Sequence, residues 1–399
     1  MTETENKNPQ TPTAGTFWTG KILTLSACHF IHDVYSSFLA PLLPLLIEKL
    51  SMSLTQAGFL STVMQIPSLL NPLIGLLADR RSVRYFIILA PVTTAVPMSF
   101  TGLAPNYGVL LILLFIAGVS VAVFHVPAPV MISQLSGNKK GKGMSFYMTG
   151  GELARAIGPL VAVGAVSVFG LEGFYPIMIF GVLASAWLHL RFRDVPVHTN
   201  NSVRTSLLST CYEMRHILLP LTAILISRGF MHASMTTFLP TFIKQETGNI
   251  WLAGFALTVL EGTGVVAVLL SGTLSDHIGR KRILFIALMG APIGLFLFVL
   301  TGGPVRFIML LFTGFTLLST TPVMLAMVQE NARNSPSAAN GLFMMASFLA
   351  RSLIVVVVGM IADRIGLHAT YFISAGIGML AIPFILLLPH ERGTEPANY

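Results

Sequence analysis

Ten ionisable side chains stand well inside the apolar runs of this 399-residue chain: His29, His32, Asp33, His125, Glu152, Arg155, Arg228, His232, Glu261 and Arg351. A charge near the middle of a bilayer costs roughly 2.5–3.5 kcal/mol on insertion scales, so such residues face a wet cavity and pair with one another. His29, His32 or Asp33, and Ser36 recur at three- and four-residue spacing and share one helix face. An acid flanked by imidazoles and set beside arginines of other helices is a proton carrier whose occupancy depends on what else fills the cavity. Asp33, with His29 and His32, is therefore a candidate proton-coupling site, the competing reading being a fixed salt-bridge partner. Glu152 and Glu261 are the other candidate acids, although Glu152 and Arg155 stand at i, i+3 and can neutralise one another.

The second chemistry is anion binding. Guanidinium groups give bidentate hydrogen bonds to carboxylate, phosphonate or phosphate. Arg155, Arg351 and Arg228, the last one turn from His232, are candidate substrate ligands together with His232 and His125; the alternative is that the arginines brace helices through Glu152, Glu261 and Asp33. His125 stands just before Pro127 and Pro129, which distort a helix and free carbonyls, though an interior hydrogen-bonding role is equally open. Met231, Met235, Met324, Met327, Met344 and Met345 either line an adaptable apolar wall or pack between helices and lipid.

The elements that position these groups must be membrane helices. Only 10% of residues are charged, 54% are hydrophobic, and the mean hydropathy of +0.77 would give a water-soluble domain an apolar surface. Lipid offers the backbone no hydrogen-bond partners, so apolar runs of about 20 residues form helices. The sequence predicts twelve, over 19–47, 54–78, 85–104, 108–134, 144–169, 174–190, 216–243, 252–275, 283–301, 305–329, 338–362 and 369–389. The expected domains are a tail at 1–18 with no signal peptide, a six-helix bundle at 19–193, a linker at 194–215, a second bundle at 216–391 and a tail at 392–399.

Net charge +8 invites a nucleic-acid reading, but position excludes it. Seventeen of the 24 Lys and Arg fall at the N-terminus, in even-numbered loops or in the tail, against four in odd-numbered loops, which predicts an inner-membrane protein with both termini cytoplasmic. Cys28 and Cys211 cannot sensibly pair, so neither a disulfide nor a metal site is indicated, and no cofactor is expected. There is no phosphate-cradling Gly-x4-Gly-Lys loop for nucleotide drive, and Gly262 and Gly264 read as close helix packing.

The two halves also echo one another at offsets of 193 to 200 residues. Gly75 and Asp79 answer to Gly272 and Asp276, Leu153-Ala-Arg155 to Leu349-Ala-Arg351, Pro129-Val-Met131 to Pro322-Val-Met324, and His32 to His232. Parallel repeats of one bundle are a transporter's plan, and they set Arg155 and Arg351 across the pseudo-twofold axis.

The loops after the second and eighth spans carry Gly75-x3-Asp79-Arg80-x3-Arg84 and Gly272-x3-Asp276-x2-Gly279-Arg280-Lys281-Arg282. They resemble the signature loop of the major facilitator superfamily, in which such residues latch one conformation. Spans 3, 6, 9 and 12 hold none of the ten buried ionisable groups, as that fold's lipid-facing helices require. Ser26-x2-His29-x3-Asp33, Pro41-Leu-Leu-Pro44, Val123-Phe-His125 and Gly150-Gly151 with Gly158-Pro159-Leu160 resemble the fosmidomycin-resistance branch of proton-driven exporters, although that branch's Phe-His-Pro-Glu reads Phe124-His125-Val126-Pro127-Ala128 here. The resemblance implies a twelve-helix secondary transporter that exports a small anionic or amphipathic compound against protons; two bundles need no partner to form a pathway and no extramembrane stretch is large enough for a soluble enzyme, so a non-enzymatic monomer is expected. Uptake of an organic acid, siderophore or organophosphate by symport or facilitated transport through the same cavity is the alternative, and a membrane sensor or intramembrane enzyme a third.

Overall fold

The computed structural model describes residues 17–71, 73–74, 77, 84–193, 207–332 and 336–388. Among these residues the only regular structure is helix, without strands. The helices are α1 (Thr19–Ser36), α2 (Leu39–Leu50), α3 (Leu54–Gln65), α4 (Arg84–Phe100), α5 (Tyr107–His125), α6 (Pro127–Leu135), α7 (Lys140–Phe169), α8 (Ile179–Phe192) and α9 (Leu207–Glu213). They continue with α10 (Arg215–Ala233), α11 (Leu239–Thr247), α12 (Ile250–Ile278), α13 (Arg280–Leu300), α14 (Gly303–Leu318), α15 (Thr320–Asn331), α16 (Pro336–Met379) and α17 (Ile382–Leu386).

Among the described residues, ten helical stretches are long and apolar enough to cross a membrane. One of them, Ala339–Leu386, is a double pass, because Gly366 adopts φ 79°, a conformation open to glycine but strained for other residues, and turns the chain. The expected pass at 54–78 begins with α3, and part of its second half lies outside the described residues, as do the tails and most of the linker. The described part of the linker includes a short helix, α9.

Several expected spans are broken, each at a residue that explains the break. The first pass divides between α1 and α2 ahead of Pro41, and the fourth divides at Val126 ahead of Pro127, whose missing N–H cannot continue the ladder. The seventh passes through a π turn at Ser234–Phe238 before Pro240. These interruptions lie in helices that carry the ionisable residues or adjoin them.

The bundles meet through α3 against α16 and α7 against α12. A Cβ on Gly58 would stand 2.6 Å from the Val355 carbonyl oxygen, and one on Gly359 would run into Leu54 and Thr55, so small residues are what let α3 and α16 touch. Thr62 donates to the Ser352 carbonyl at 2.6 Å across the same seam. At the end where α2 turns into α3, the first four N–H groups of the α3 entry are all satisfied, half of them by the other bundle. Ser53 N–H donates to Gln56 Oε1 and Gln56 N–H to Ser53 Oγ, closing a capping box. Leu54 and Thr55 N–H groups donate to the Asp363 carboxylate of α16 at 2.7 and 2.9 Å. Lys244 of α11 pairs with Glu48 of α2 at 2.5 Å at the same end. Nearby, within the first bundle, the hydrogen bond from Lys49 holds the exposed Glu172 carboxyl below its ordinary range.

Asp363 therefore acts as an N-cap supplied from across the interface, and removing a carboxylate cap costs about 1 kcal/mol. In Asp363→Ala the population open at this end is expected to rise about fivefold. Spin-label distances between α3 and α16 would reveal it; an unchanged distribution refutes the cap's role in closure.

Candidate functional site

The residues singled out by type and spacing gather in two connected groups. The first lies inside the first bundle, where α1 meets α5 and α7. His29 and Asp33, one turn apart on α1, approach at 3.1 Å between Nε2 and Oδ2, and His125 at the end of α5 brings its Nε2 to 3.4 Å from the same oxygen. His32 Nε2 stands 3.8 Å from Asp33 Oδ1, on the far side of the carboxylate. Both His29 and His125 place Nδ1 against a backbone carbonyl, that of Tyr147 at 2.8 Å and that of Val121 at 3.1 Å, so when those nitrogens donate, the Nε2 lone pairs face the carboxylate. The His29 ring stacks on Tyr147 at 4.0 Å, and the His32 ring packs on Phe124 at 4.4 Å.

Glycine on α7 makes room for this cluster. A Cβ on Gly151 would stand 2.7 Å from His29 Cε1 and 3.1 Å from Asp33 Oδ2, and one on Gly150 would stand 2.5 Å from the Ser26 carbonyl oxygen of α1. The pair thus has a physical reason: α1 and α7 touch where the ionisable groups sit. Gly151→Ala is expected to destabilise the protein by about 1–3 kcal/mol through overpacking, read as a lower thermal midpoint in detergent; a wild-type midpoint would show that the cluster yields freely.

The second group spans the interface between bundles. Arg155 forms an ion pair with Glu152 on α7, as their i, i+3 spacing allows, and lies within electrostatic reach of Glu261 on α12 and of Asp33. Arg351 of α16 lies within electrostatic reach of both Arg155 and Glu261 and over the Phe348 ring. Arg228 of α10 is buried and donates through Nη1 to the hydroxyls of Thr320 and Thr321, the latter at 3.1 Å. His232 is exposed to the fields of Arg351, Arg228 and Arg155 together. Half of the Arg155 side chain remains accessible despite its place between helices, which marks a polar gap at the seam.

Of the loop residues, Gly75, Asp79 and Arg80 lie outside the described residues. Arg84 donates to the Arg193 carbonyl. In the second copy, Arg280 follows Gly279 (φ 105°), donates to the Gly272 carbonyl at 3.3 Å and pairs with both Asp276 and Glu330, while Lys281 donates to the Leu388 carbonyl at 2.5 Å. These contacts bind α13 to α12, to α15 and to the residues just after α17, within one bundle. Met231, Met235, Met324 and Met327 are packed in the core, whereas Met344 and Met345 are exposed.

Sequence reasoning missed three things. Thr320 and Thr321 as hydroxyl partners of Arg228 carry no sequence signal beyond standing two residues or fewer from Pro322. Tyr147 and Phe124 enclose the histidines from other helices. The expectation of no metal site was argued from the cysteines alone, and the approach of three donor atoms of His29, Asp33 and His125 to within 4.8 Å of one another carries no sequence signal.

A helical membrane fold of two bundles with a charged seam defines a transporter, not an enzyme. The Major Facilitator Superfamily model matches residues 25–355, and the chain belongs to that family. It is 24% identical over 386 residues to the fosmidomycin resistance protein of Escherichia coli (strain K12), covering 94% of this chain and 93% of the relative. It is also 23% identical over 268 residues to the multidrug resistance protein MdtG of Yersinia enterocolitica, covering 64% and 65% of the two chains. Among solved structures, a bacterial homologue of the human lysosomal transporter Spinster, in an inward-facing and occupied conformation, superposes with a TM-score of 0.76 at 15% identity over 93% of this chain and 94% of the other. The D-xylose–proton symporter gives 0.72 at 16% identity over 93% and 98%. The protein is a multi-pass membrane transporter of small molecules.

Proposed function

We propose that this transporter exports a small anionic or amphipathic compound across the bacterial inner membrane in exchange for protons, as a monomer with both termini in the cytoplasm. The observation that carries the reading is the continuous run of facing charges from the Asp33 cluster, through Arg155, Glu152 and Glu261, to Arg351 on the opposite bundle. Asp33, with His29 and His32, is the proton site; Glu152 and Glu261 set the charge of the seam. Arg351, Arg228 and Arg155, with His232 and His125, receive the anion.

The physical logic is that two imidazole lone pairs pointed at a carboxylate repel it unless a cation sits between them. A proton is such a cation, and its arrival or departure changes the charge that acts on Arg155 nearby. An anion arriving on the arginines and a proton arriving on the cluster then alter each other's affinity reciprocally, which is the requirement for coupling. The end closed by Asp363 and by the Lys244–Glu48 pair is the periplasmic gate in this reading, and bundle rocking opens it. Similarity to a fosmidomycin resistance protein over nearly the whole chain supports the export reading.

The test is flux through proteoliposomes holding the purified protein under an imposed pH gradient, with a panel of anions and cations that includes fosmidomycin. Proton-driven flux restricted to anions is expected. Gradient-independent flux, or a preference for cations, overturns the reading.

A further inference from the structure

The Asp33 cluster has the makings of more than a proton site. Its three inward-facing donors are His29 Nε2, His125 Nε2 and Asp33 Oδ2, and the two separations to the carboxylate oxygen are 3.1 and 3.4 Å. Donors bound to one tetrahedral ion at about 2.0–2.2 Å stand about 3.3–3.6 Å apart, so the two observed spacings are already close to those of a bound first-row metal. All three donors lie within 4.8 Å of one another, and the remaining pair closes by a small turn of His125, whose side chain keeps 38% of its exposure.

The donors are also left wanting. Of the three, His29 Nε2 is buried and faces only the Asp33 carboxylate, and the residues His29 and Asp33 are only 3% and 7% exposed. Their outer contacts are those of metal ligands: each imidazole holds its Nδ1 on a backbone carbonyl, which fixes the tautomer and aims Nε2 inward. The wall is rigid, because Tyr147 stacks on His29 and Gly151 leaves no slack beside it. His125 supplies the entry path, since it alone of the three reaches the accessible gap. The opposing charge is Arg155, and it is offset by its own pair with Glu152.

We propose that His29, Asp33 and His125 bind a divalent transition ion of the Zn2+ class. Two imidazoles and one carboxylate favour Zn2+, Co2+ or Ni2+ over Mg2+ or Ca2+, which take all-oxygen shells. His32 remains outside the set, on the other carboxylate oxygen at 3.8 Å. The site stands whichever way the transporter runs and whatever it carries, so its failure and the failure of the export reading are separate results.

The test is Co2+ titration of the full-length, tag-free, chelator-stripped protein in detergent, followed by visible absorption and then Zn2+ displacement. One Co2+ per chain with the intense bands of a low-coordinate site is expected, displaced by Zn2+. His29→Gln and His125→Gln are each expected to weaken binding at least tenfold, about the loss seen when metal surroundings are disturbed. His189→Ala, at the end of α8, serves as the surface-histidine control and is expected to bind as wild type. Size-exclusion profiles matching wild type certify that each variant is folded, and a variant that fails this check is replaced by His→Asn at the same position. Absence of Co2+ bands in the wild type, bands that survive in both cluster variants, or a loss shared by His189→Ala overturns the proposal.

Discussion

In Asp33→Asn, proton-driven flux is expected to fall at least about a hundredfold, the scale on which a positioned acid or base contributes to proton transfer, while the folded carrier still binds its anion. The asparagine keeps the shape of the side chain and its place beside His29 and His125, but it can no longer hold a proton for them to share. What disappears is the change of charge that Arg155 senses. Counterflow of labelled substrate under equal pH on both sides distinguishes this from a broken protein, because exchange without net proton movement needs the anion site and bundle rocking only. Flux at the wild-type rate under a pH gradient would make Asp33 a fixed partner of its histidines and move coupling to Glu261 or Glu152.

How far the sequence alone leads depends on the distance between partners. Glu152 and Arg155 stand three residues apart on α7, and the helix brings them together without help from the rest of the fold. The break at Val126 was legible for the same reason, since Pro127 forces it locally. Parallel repetition pointed to Arg155 and Arg351 as matched positions, and the two lie within electrostatic reach although they belong to different bundles. By contrast, the approach of His125 to Asp33 requires the register of α5 against α1, which no local pattern encodes. The Asp363 cap on α3 is likewise a long-range event, joining residues more than 300 positions apart at a helix start that looks self-sufficient through its Ser53–Gln56 box. Gly150 and Gly151 were visible as a motif, but their reason, the Ser26 carbonyl and the His29 and Asp33 side chains pressed against α7, belongs to packing. Signature residues in the second copy were visible as a set, whereas the partner that completes them, Glu330 of α15, was not.

The arginines divide by what surrounds them, and this gives an experiment in which structural and ligand-binding roles separate. Arg155 holds Glu152 in a direct pair and faces Glu261, so Arg155→Ala leaves acids uncompensated in a low-dielectric seam; its expected cost includes stability as well as affinity. Arg228 has hydroxyl partners, Thr320 and Thr321, and its full charge remains available to an incoming anion. Arg351 faces Glu261 but also the like charge of Arg155, a repulsion that an anion between them would relieve. Accordingly, Arg351→Ala and Arg228→Ala are each expected to weaken anion binding at least about tenfold, the worth of one charge-assisted hydrogen bond, with thermal midpoints falling less than in Arg155→Ala. Arg351→Lys is expected to recover only part of the loss, because an ammonium cannot form the bidentate contact. Binding measured calorimetrically with the transported anion, alongside thermal unfolding of each variant, decides the matter. Equal losses of stability with unchanged affinity in Arg228→Ala and Arg351→Ala would make all three arginines braces between helices, and the anionic substrate class would fall with them.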